Sequence, residues 1–266
     1  MLTIAEYVMP RTVSEAYTLL TTTPNAAVVG GGAFMRLASR EIGLAIDLTR
    51  AELDYIRETA TEVTIGAMTT FGAMERSRVL QTNWDGLLPR IIGNIAGVQL
   101  RNIVTVGGTV YGRFGFSEVL TGLMALECSV KLHQGGLVSL ADFVQSKGRG
   151  QDIVEAIVIA KNPQRAAYQM LRNSGGSLPI LSVAVTKSQH GPFYRIAVGA
   201  RPGVSALAVA TMSLLAGQEL HDDLLRQAAT KATSELRFTS DRKASAVYRQ
   251  ELCGVLVKRA LAEVGL

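Results

Sequence analysis

The pattern of apolar and polar positions predicts short strands and helices throughout the first part of the chain. Residues 12–15 (TVSE) have the spacing of a capping box and predict the start of an amphipathic helix. Short apolar runs at 27–29 and 44–48 predict two strands after this helix. Residues 62–66 (EVTIG) alternate apolar and polar side chains and predict a further strand, which begins a second unit.

The middle of the chain continues the same alternation up to a proline. We predict a helical region at 87–98, an apolar stretch at 119–126, and strands at 130–132, 138–140 and 153–159. Pro163 and the residue before it disfavour a continued regular element. We therefore divide the chain into an N-terminal domain, 1–163, with subdomains of about 1–55 and 56–163, and a C-terminal domain, 164–266.

The C-terminal part has the pattern of a small domain of its own. Residues 180–185 and 194–198 predict paired strands, and 206–216 and 222–233 predict helices. A last helix is expected from near Ser245, with four residues on one apolar side: Tyr248, Leu252, Val255 and Leu256. Because strands and helices do not alternate as regular βαβ units, both parts are expected to be α+β.

Composition and charge exclude several classes of protein. The 266 residues are 48% hydrophobic with a mean hydropathy of +0.23, so a disordered chain is excluded. We find no apolar run long enough to span a membrane and no signal-peptide pattern, and therefore expect a cytoplasmic protein without a membrane partner. The net charge is +5, but the basic residues are dispersed, which indicates a solvated face or a surface for an acidic partner rather than nucleic acid.

Two glycine runs are the strongest candidates for a binding site. Residues 30–32 follow the apolar run 26–29, and residues 107–108 follow Thr105 and Val106. Glycine lets backbone N–H groups approach a ligand closely, and consecutive N–H groups can form a nest for an anion such as a pyrophosphate. Folding that joins both runs would hold one dinucleotide between them. The alternative is that each run is only a tight turn.

The chain shows no residues for catalysis or metal binding of its own. Its two cysteines are too few for an iron–sulfur cluster or a structural zinc site. The histidines, at positions 133, 190 and 221, lack the spacing of metal ligands or of a nucleophile–base pair. Any iron–sulfur cluster or zinc centre is therefore expected to belong to a partner.

Several motifs resemble the medium subunits of molybdenum hydroxylases, the flavoprotein components of carbon monoxide dehydrogenase and of bacterial xanthine dehydrogenase-like enzymes. Residues 29–35 (VGGGAFM) resemble the first flavin-binding loop of this family, and residues 98–109 (VQLRNIVTVGGT) its second loop. Residues 65–70 (IGAMTT) and the Ser-Asp to Tyr-Arg signature at 240–249 also match. Segments 138–143 and 155–159 follow in the family's order, so the resemblance covers nearly the whole chain.

The resemblance implies an FAD-binding subunit. Its fold would be an α+β, two-subdomain FAD-binding domain of the vanillyl-alcohol-oxidase type, followed by a small α/β C-terminal domain. Its partners would be a [2Fe-2S] iron–sulfur subunit and a large molybdopterin-binding subunit. The flavin would take electrons from the iron–sulfur partner and pass them to an acceptor such as NAD, with the protein supplying position and electrostatics.

The residues expected to contact FAD lie in both glycine loops and further along the chain. By resemblance, Thr105 would bond the pyrophosphate, Glu118 the ribose of the adenosine half, and Arg172 would stabilise the reduced, anionic flavin. The alternatives are a strand end for Thr105, a helix N-terminal carboxylate for Glu118 and a surface turn for Arg172. The full set is Val29, Gly30, Gly31, Gly32, Ala33, Phe34, Thr105, Gly107, Gly108, Thr109, Glu118 and Arg172.

The sequence departs from the family pattern at several positions that concern FAD binding. Ala33 and Phe34 replace a Thr or Ser and an Asp, and Thr109 replaces an Asn. The usual S-P-x-x-D segment reads FGFSE, ending at Glu118, and Gln169 replaces a lysine found in many members. Each lost hydrogen bond is worth about 1 kcal/mol, so we expect weaker FAD retention rather than none.

Two other functions remain open at this point. The first is a stand-alone flavin reductase of the same cofactor fold, comparable to the enolpyruvyl sugar reductase of cell-wall synthesis, which would need its own catalytic acid and substrate pocket. The second is a degenerate scaffold that keeps the docking surface of the C-terminal domain but has lost FAD, which Ala33 and Phe34 favour.

Overall fold

The computed structural model describes residues 1–146 and 151–265. The strands of this part of the chain are β1 Thr3–Val8, β2 Ala26–Val29, β3 Glu41–Asp47, β4 Ile56–Glu58, β5 Glu62–Gly66, β6 Cys128–Leu132, β7 Gly136–Ser139, β8 Val154–Ala160, β9 Gln164–Leu171, β10 Leu181–Ser188, β11 Tyr194–Gly199 and β12 Ala206–Leu207. The α-helices are α1 Val13–Thr22, α2 Phe71–Arg76, α3 Arg78–Thr82, α4 Leu87–Gly93, α5 Val98–Arg101, α6 Val106–Gly112, α7 Glu118–Ala125, α8 Leu140–Gln145, α9 Val209–Leu215, α10 Asp222–Glu235 and α11 Ala246–Gly265.

The chain folds into two compact units that do not follow a single cut in the sequence. Unit 1 contains Met1–Met74, Gly97–Gly112 and Cys128–Ile159, whereas unit 2 contains Glu75–Ala96, Arg113–Glu127 and the chain from Ala160 onward. Two stretches that precede Pro163 therefore group with the C-terminal part. The two compact units do not test the domain boundary that we placed at residue 163, and this boundary stays a prediction.

Unit 1 contains two sheets. The first is parallel, in the order β1-β3-β2, and the second has the order β4-β5-β8-β6-β7. The predicted capping box is present at the start of α1: Thr12 Oγ1 accepts from Glu15 N at 3.1 Å, and Glu15 Oε2 accepts from Arg11 N at 2.9 Å. Asp47 ends β3 and accepts from Thr49 N at 2.8 Å, which stabilises the turn after this strand.

Unit 2 is built on an antiparallel sheet with the order β12-β11-β10-β9. Side chains of this sheet form one core with helices α9, α10 and α11. The structure corrects the helix predicted at 206–216, because Ala206–Leu207 pairs with β11 as strand β12 and helix α9 begins only at Val209. The helix predicted over 87–98 is also interrupted, since α4 ends at Gly93 and α5 is a separate turn.

The last helix buries only part of the side predicted to be apolar. Leu256 is buried and Leu252 packs against the core, as expected. Tyr248 and Val255, in contrast, are 48% and 46% exposed. The prediction was wrong for these two residues because α11 is docked with its Cys253–Leu256–Val257 side inward.

A fully buried arginine fixes the loop before α11. The Arg249 guanidinium donates to the carbonyl oxygens of Ile180, Thr239 and Ala244 at 2.8–3.0 Å and to Asp241 Oδ1 at 2.6 Å. These bonds compensate the cost of removing its charge from water. The pKa of Asp241 is lowered because bonds from Arg249 and from backbone N–H groups outweigh the effect of burial.

Candidate functional site

The two glycine segments lie against each other within unit 1. Gly31 and Gly32 adopt left-handed backbone angles, with φ of +72° and +67°, a conformation that disfavours other residues. A Cβ on Gly31 would be 1.9 Å from the Ile103 oxygen, and one on Gly108 would be 2.9 Å from the Gly30 oxygen. Glycine is therefore required by the close approach of the two segments as well as by the local turn.

Thr105 joins the two segments by hydrogen bonds. Its Oγ1 donates to the Gly30 oxygen at 3.1 Å and accepts from Gly108 N at 3.2 Å. The side chain is almost fully buried, at 2% exposure, so these bonds are shielded from water. The structure thus assigns the Thr105 hydroxyl to holding the loops together, and its expected bond to a pyrophosphate stays a prediction.

The second glycine segment is not the end of a strand. Gly107 and Gly108 lie in the first turn of α6, and Thr105 makes only an isolated antiparallel bridge with Thr70. Gly107 N donates to the Ala67 oxygen at 2.9 Å, and a Cβ at this position would lie 2.5 Å from Ala67 Cβ. Because both glycine N–H groups already have partners, this segment supplies close packing rather than free donors.

The first segment does supply free donors. Within the described part of the chain, the N–H groups of Gly31, Gly32 and Ala33 donate no hydrogen bond. They are successive groups in a loop of left-handed glycines, which is the geometry of an anion-binding nest. The Ala33 side chain is buried and that of Phe34 half-buried, so neither adds a polar group there.

A small recess of about 60 Å³ adjoins these loops, also within unit 1. Three glycines, Gly30, Gly107 and Gly108, form part of its wall. The other lining residues are mainly apolar, with one carboxylate: Val28, Leu48, Ala67, Met68, Tyr111, Asp152, Ile153 and Val154. The Asp152 carboxylate is engaged by backbone N–H groups of Gln134, Gly135 and Ile153. The recess therefore presents a mainly apolar wall beside the anion nest.

Most of this wall was not identified from the sequence. Ala67 and Met68 belong to the IGAMTT motif, which is the one sequence signal that points to the recess. Val154 begins β8 and Ile153 directly precedes it, and in the sequence both have the pattern of core residues of a strand. Tyr111 is half-buried in the recess wall, and no sequence signal singles it out.

Two further expected cofactor residues, Glu118 and Arg172, meet within unit 2. Glu118 Oε2 accepts from the Tyr168 hydroxyl at 2.8 Å and lies 3.5 Å from Arg172 Nη2. Arg172 Nη1 donates to the carbonyl oxygens of Asn94 and Gly175 at 2.8 and 3.0 Å. Arg172 is thus held by its loop and is not an exposed turn residue.

The environment of this cluster perturbs both of its acidic groups. Burial raises the pKa of Glu118, although the bond from Tyr168 and the charge of Arg172 act in the opposite direction. Burial and the neighbouring Glu118 raise the pKa of Tyr168 well above its usual value. Sequence reasoning missed Tyr168, because no local pattern shows that it pairs with a residue 50 positions earlier.

The remaining polar candidates are structural. His133 Nδ1 and Lys131 Nζ contact the Glu155 carboxylate at 2.8 and 3.0 Å. Burial opposes ionisation of Glu155, but these two bonds outweigh it and lower its pKa. Gln169 Nε2 donates to Glu263 Oε2 at 2.7 Å, and His221 caps helix α10. Among the described residues there is no cluster of His, Cys, Asp and Glu that could hold a metal.

Comparison with known proteins identifies the class of this chain. The family described as "FAD binding domain in molybdopterin dehydrogenase" matches residues 3–161, and the "CO dehydrogenase flavoprotein C-terminal domain" matches residues 166–264. The chain belongs to this family. It is an FAD-binding medium subunit of the molybdenum hydroxylase type and an oxidoreductase component, as the sequence motifs implied.

Individual relatives agree over their full lengths. The chain is 24% identical to the glyceraldehyde dehydrogenase medium chain of Sulfolobus acidocaldarius, covering 97% of each protein. It is 28% identical to the carbon monoxide dehydrogenase medium chain of Hydrogenophaga pseudoflava, covering 96% of this chain and 95% of the relative. The predicted family is therefore confirmed.

Solved structures confirm the predicted fold. A chain of Cu,Mo-CO dehydrogenase superimposes with a TM-score of 0.91 at 24% identity, covering 100% of this chain and 99% of that one. A chain of the Hydrogenophaga pseudoflava carbon monoxide dehydrogenase gives a TM-score of 0.88 at 26% identity, covering 97% and 96%. Over the described residues, no helix is both long and apolar enough to cross a membrane.

Proposed function

We propose that this subunit transfers electrons within a molybdenum hydroxylase-type complex. In this proposal it receives electrons from a [2Fe-2S] subunit and passes them to an acceptor such as NAD. The [2Fe-2S] subunit would itself receive these electrons from a large molybdopterin subunit. The matched family and the full-length similarity to medium chains support this role. Cys128 and Cys253 are both buried and neither forms a disulfide in the described part of the chain, which suits a reducing compartment, and we propose the cytoplasm.

The residues of unit 1 fit an FAD pyrophosphate and one of its rings. The free N–H groups of Gly31, Gly32 and Ala33 would bond phosphate oxygens, and the missing Cβ atoms of Gly30 and Gly108 let the two loops lie close enough to form one site. The recess beside them would exclude water from an apolar ring. Bound FAD would supply the redox chemistry, accepting electrons singly and releasing them in pairs.

Unit 2 would contribute a fixed charge. The Arg172 guanidinium is held in place by three oxygen partners. Because it is already ordered, little conformational entropy would be lost when it interacts with a negative charge. We retain the proposal that it stabilises the reduced flavin. Glu118, whose carboxylate is engaged by Tyr168 and Arg172, is better suited to orienting this arginine than to bonding a ribose hydroxyl.

The observation that carries the proposal is the pairing of the two glycine segments. A pair of unrelated tight turns would not need the hydroxyl bridge of Thr105 or the contact between Gly108 and Gly30. The arrangement leaves three consecutive N–H donors beside an apolar recess. The donors suit the phosphates of an extended dinucleotide, and the recess suits one of its rings. Nothing in the described residues favours the stand-alone reductase over the electron-transfer subunit.

The electron-transfer role can be tested with purified components. The FAD-loaded chain is mixed without oxygen with the reduced candidate iron–sulfur subunit of the same organism, and the visible flavin bands are followed. We expect the bands to bleach, and to return when NAD⁺ is added. The FAD-free chain is the control for turbidity and for absorption by the partner. Bands that stay unchanged would show that the flavin does not accept electrons from this partner.

A further inference from the structure

Helix α11 carries an exposed apolar stripe on the side that faces away from the core of unit 2. Val247, Tyr248 and Val255 are 69%, 48% and 46% exposed. Spacings of seven and eight residues place all three on one face of a helix. Large apolar side chains grouped in this way on a surface mark a site of contact with another molecule.

Basic side chains surround the stripe. Arg242 lies in the loop just before α11, and Lys258 and Arg259 continue the same helical face beyond Val255. In the part of the chain that the structure describes, none of these three side chains forms an ion pair. Glu251 is the single acidic residue on this face, so the net charge around the stripe is positive.

The start of the stripe is held rigidly. Arg249 anchors the 239–244 loop through three hydrogen bonds, and Ala246 N and Tyr248 N donate to the side chains of Ser240 and Ser245. A rigid surface loses little conformational entropy on binding. Tyrosine and arginine are also the residue types that most often dominate the binding energy of protein interfaces.

We propose that this face of α11, Arg242 to Arg259, docks an acidic protein surface with an apolar centre on a companion subunit of the complex. The proposal rests on the proposed function, because it takes for granted that a multi-subunit complex exists. The excess of positive charge argues for an acidic companion and against a second copy of this chain, whose own net charge is +5. The stripe is interrupted by Glu251 and spans only about 12 Å along the helix, which disfavours a membrane surface.

Photo-crosslinking tests the contact directly. Tyr248 is replaced by the photoreactive residue p-benzoylphenylalanine in the chain co-expressed with the candidate iron–sulfur and molybdopterin subunits, and the complex is irradiated. We expect a covalent product with the mass of this chain plus one companion. A product with a second copy of this chain, or no product in an intact complex, would overturn the proposal.

Charge and polarity variants supply the quantitative test. Val255→Asp and the double change Lys258→Glu, Arg259→Glu should each lower co-purification of the companion subunits about tenfold or more, and higher salt should weaken the wild-type complex. Lys231→Glu, an equally exposed charge reversal on α10, is the matched control and should have no effect.

The FAD content of each variant distinguishes this proposal from the proposed function. If wild type and variants keep FAD and all assemble equally well, the docking face is wrong while the flavoprotein role stands. If the wild-type chain forms no complex with either candidate subunit, both proposals fail. Binding of the chain to vesicles of anionic lipid that Val255→Asp abolishes would assign the face to a membrane instead.

Discussion

Replacing Thr105 by valine removes the hydroxyl that joins the two glycine segments and leaves the side-chain volume nearly unchanged. Two bonds are lost, to the Gly30 oxygen at 3.1 Å and from Gly108 N at 3.2 Å. Thr105 is 2% exposed, so water cannot readily replace the hydroxyl. Leaving a buried backbone group unpaired costs about 1–3 kcal/mol.

We therefore expect the variant to lose about 2 kcal/mol of unfolding free energy and a comparable amount of FAD binding energy. A loss of that size corresponds to an increase in the FAD dissociation constant of roughly thirtyfold. Urea unfolding of the FAD-free protein measures the first quantity. Titration of the same protein with FAD, followed by the quenching of flavin fluorescence, measures the second.

Thr69→Val is the matched control. Thr69 Oγ1 also makes two buried bonds, donating to the Tyr55 oxygen at 2.9 Å and accepting from Tyr55 N at 3.1 Å, and it lies in the same unit. We expect a similar loss of stability but an FAD dissociation constant within about twofold of wild type. Equal FAD affinities for the two variants would refute the view that Thr105 organises the binding loops.

Three further predictions concern other parts of the chain. Ala33→Ser restores a hydroxyl beside the anion nest and should lower the FAD dissociation constant about fivefold, equal to about 1 kcal/mol; an unchanged constant in the same titration would contradict it. Arg249→Met removes the guanidinium bonds to Asp241 and to three carbonyl oxygens and should lower the unfolding free energy by about 3–5 kcal/mol. A loss below about 1 kcal/mol in urea would show that the network is not stabilising. Burial raises the pKa of Glu118, so the folded state holds the carboxyl proton more tightly than the unfolded state does. The wild-type protein should therefore lose stability as the pH rises from the ordinary pKa of 4.5 through the raised pKa of the folded state. Glu118→Gln should lack this loss, and parallel curves of stability against pH for the two proteins would disprove the assignment.

Features that depend on a few neighbouring residues were predictable from the sequence. The capping box at Thr12, the strand that leads into Gly30 and the break at Pro163 all follow from local chemistry. The helical state of Gly107 was not predictable, because paired glycines have low helix propensity and it is the contact with Ala67 that places this segment.

Long-range pairings account for most of what the sequence did not show. Glu118 and Arg172 are separated by 54 positions, and their joint burial with Tyr168 depends on how β9 packs near α7 within unit 2. Similarly, Tyr248 and Val255 fit an amphipathic pattern but are exposed. Periodicity indicates which residues share a face of a helix, but not whether the same chain covers that face.

The measurement that tests the central claim most directly is the FAD content of the purified chain. The protein is incubated with excess FAD, freed of unbound ligand, denatured, and the released flavin is quantified against protein concentration. The account predicts close to one FAD per chain, with visible flavin bands before denaturation and a sharp loss in Thr105→Val. A folded chain that retains no FAD under these conditions would contradict the assignment of the glycine loops as a cofactor site.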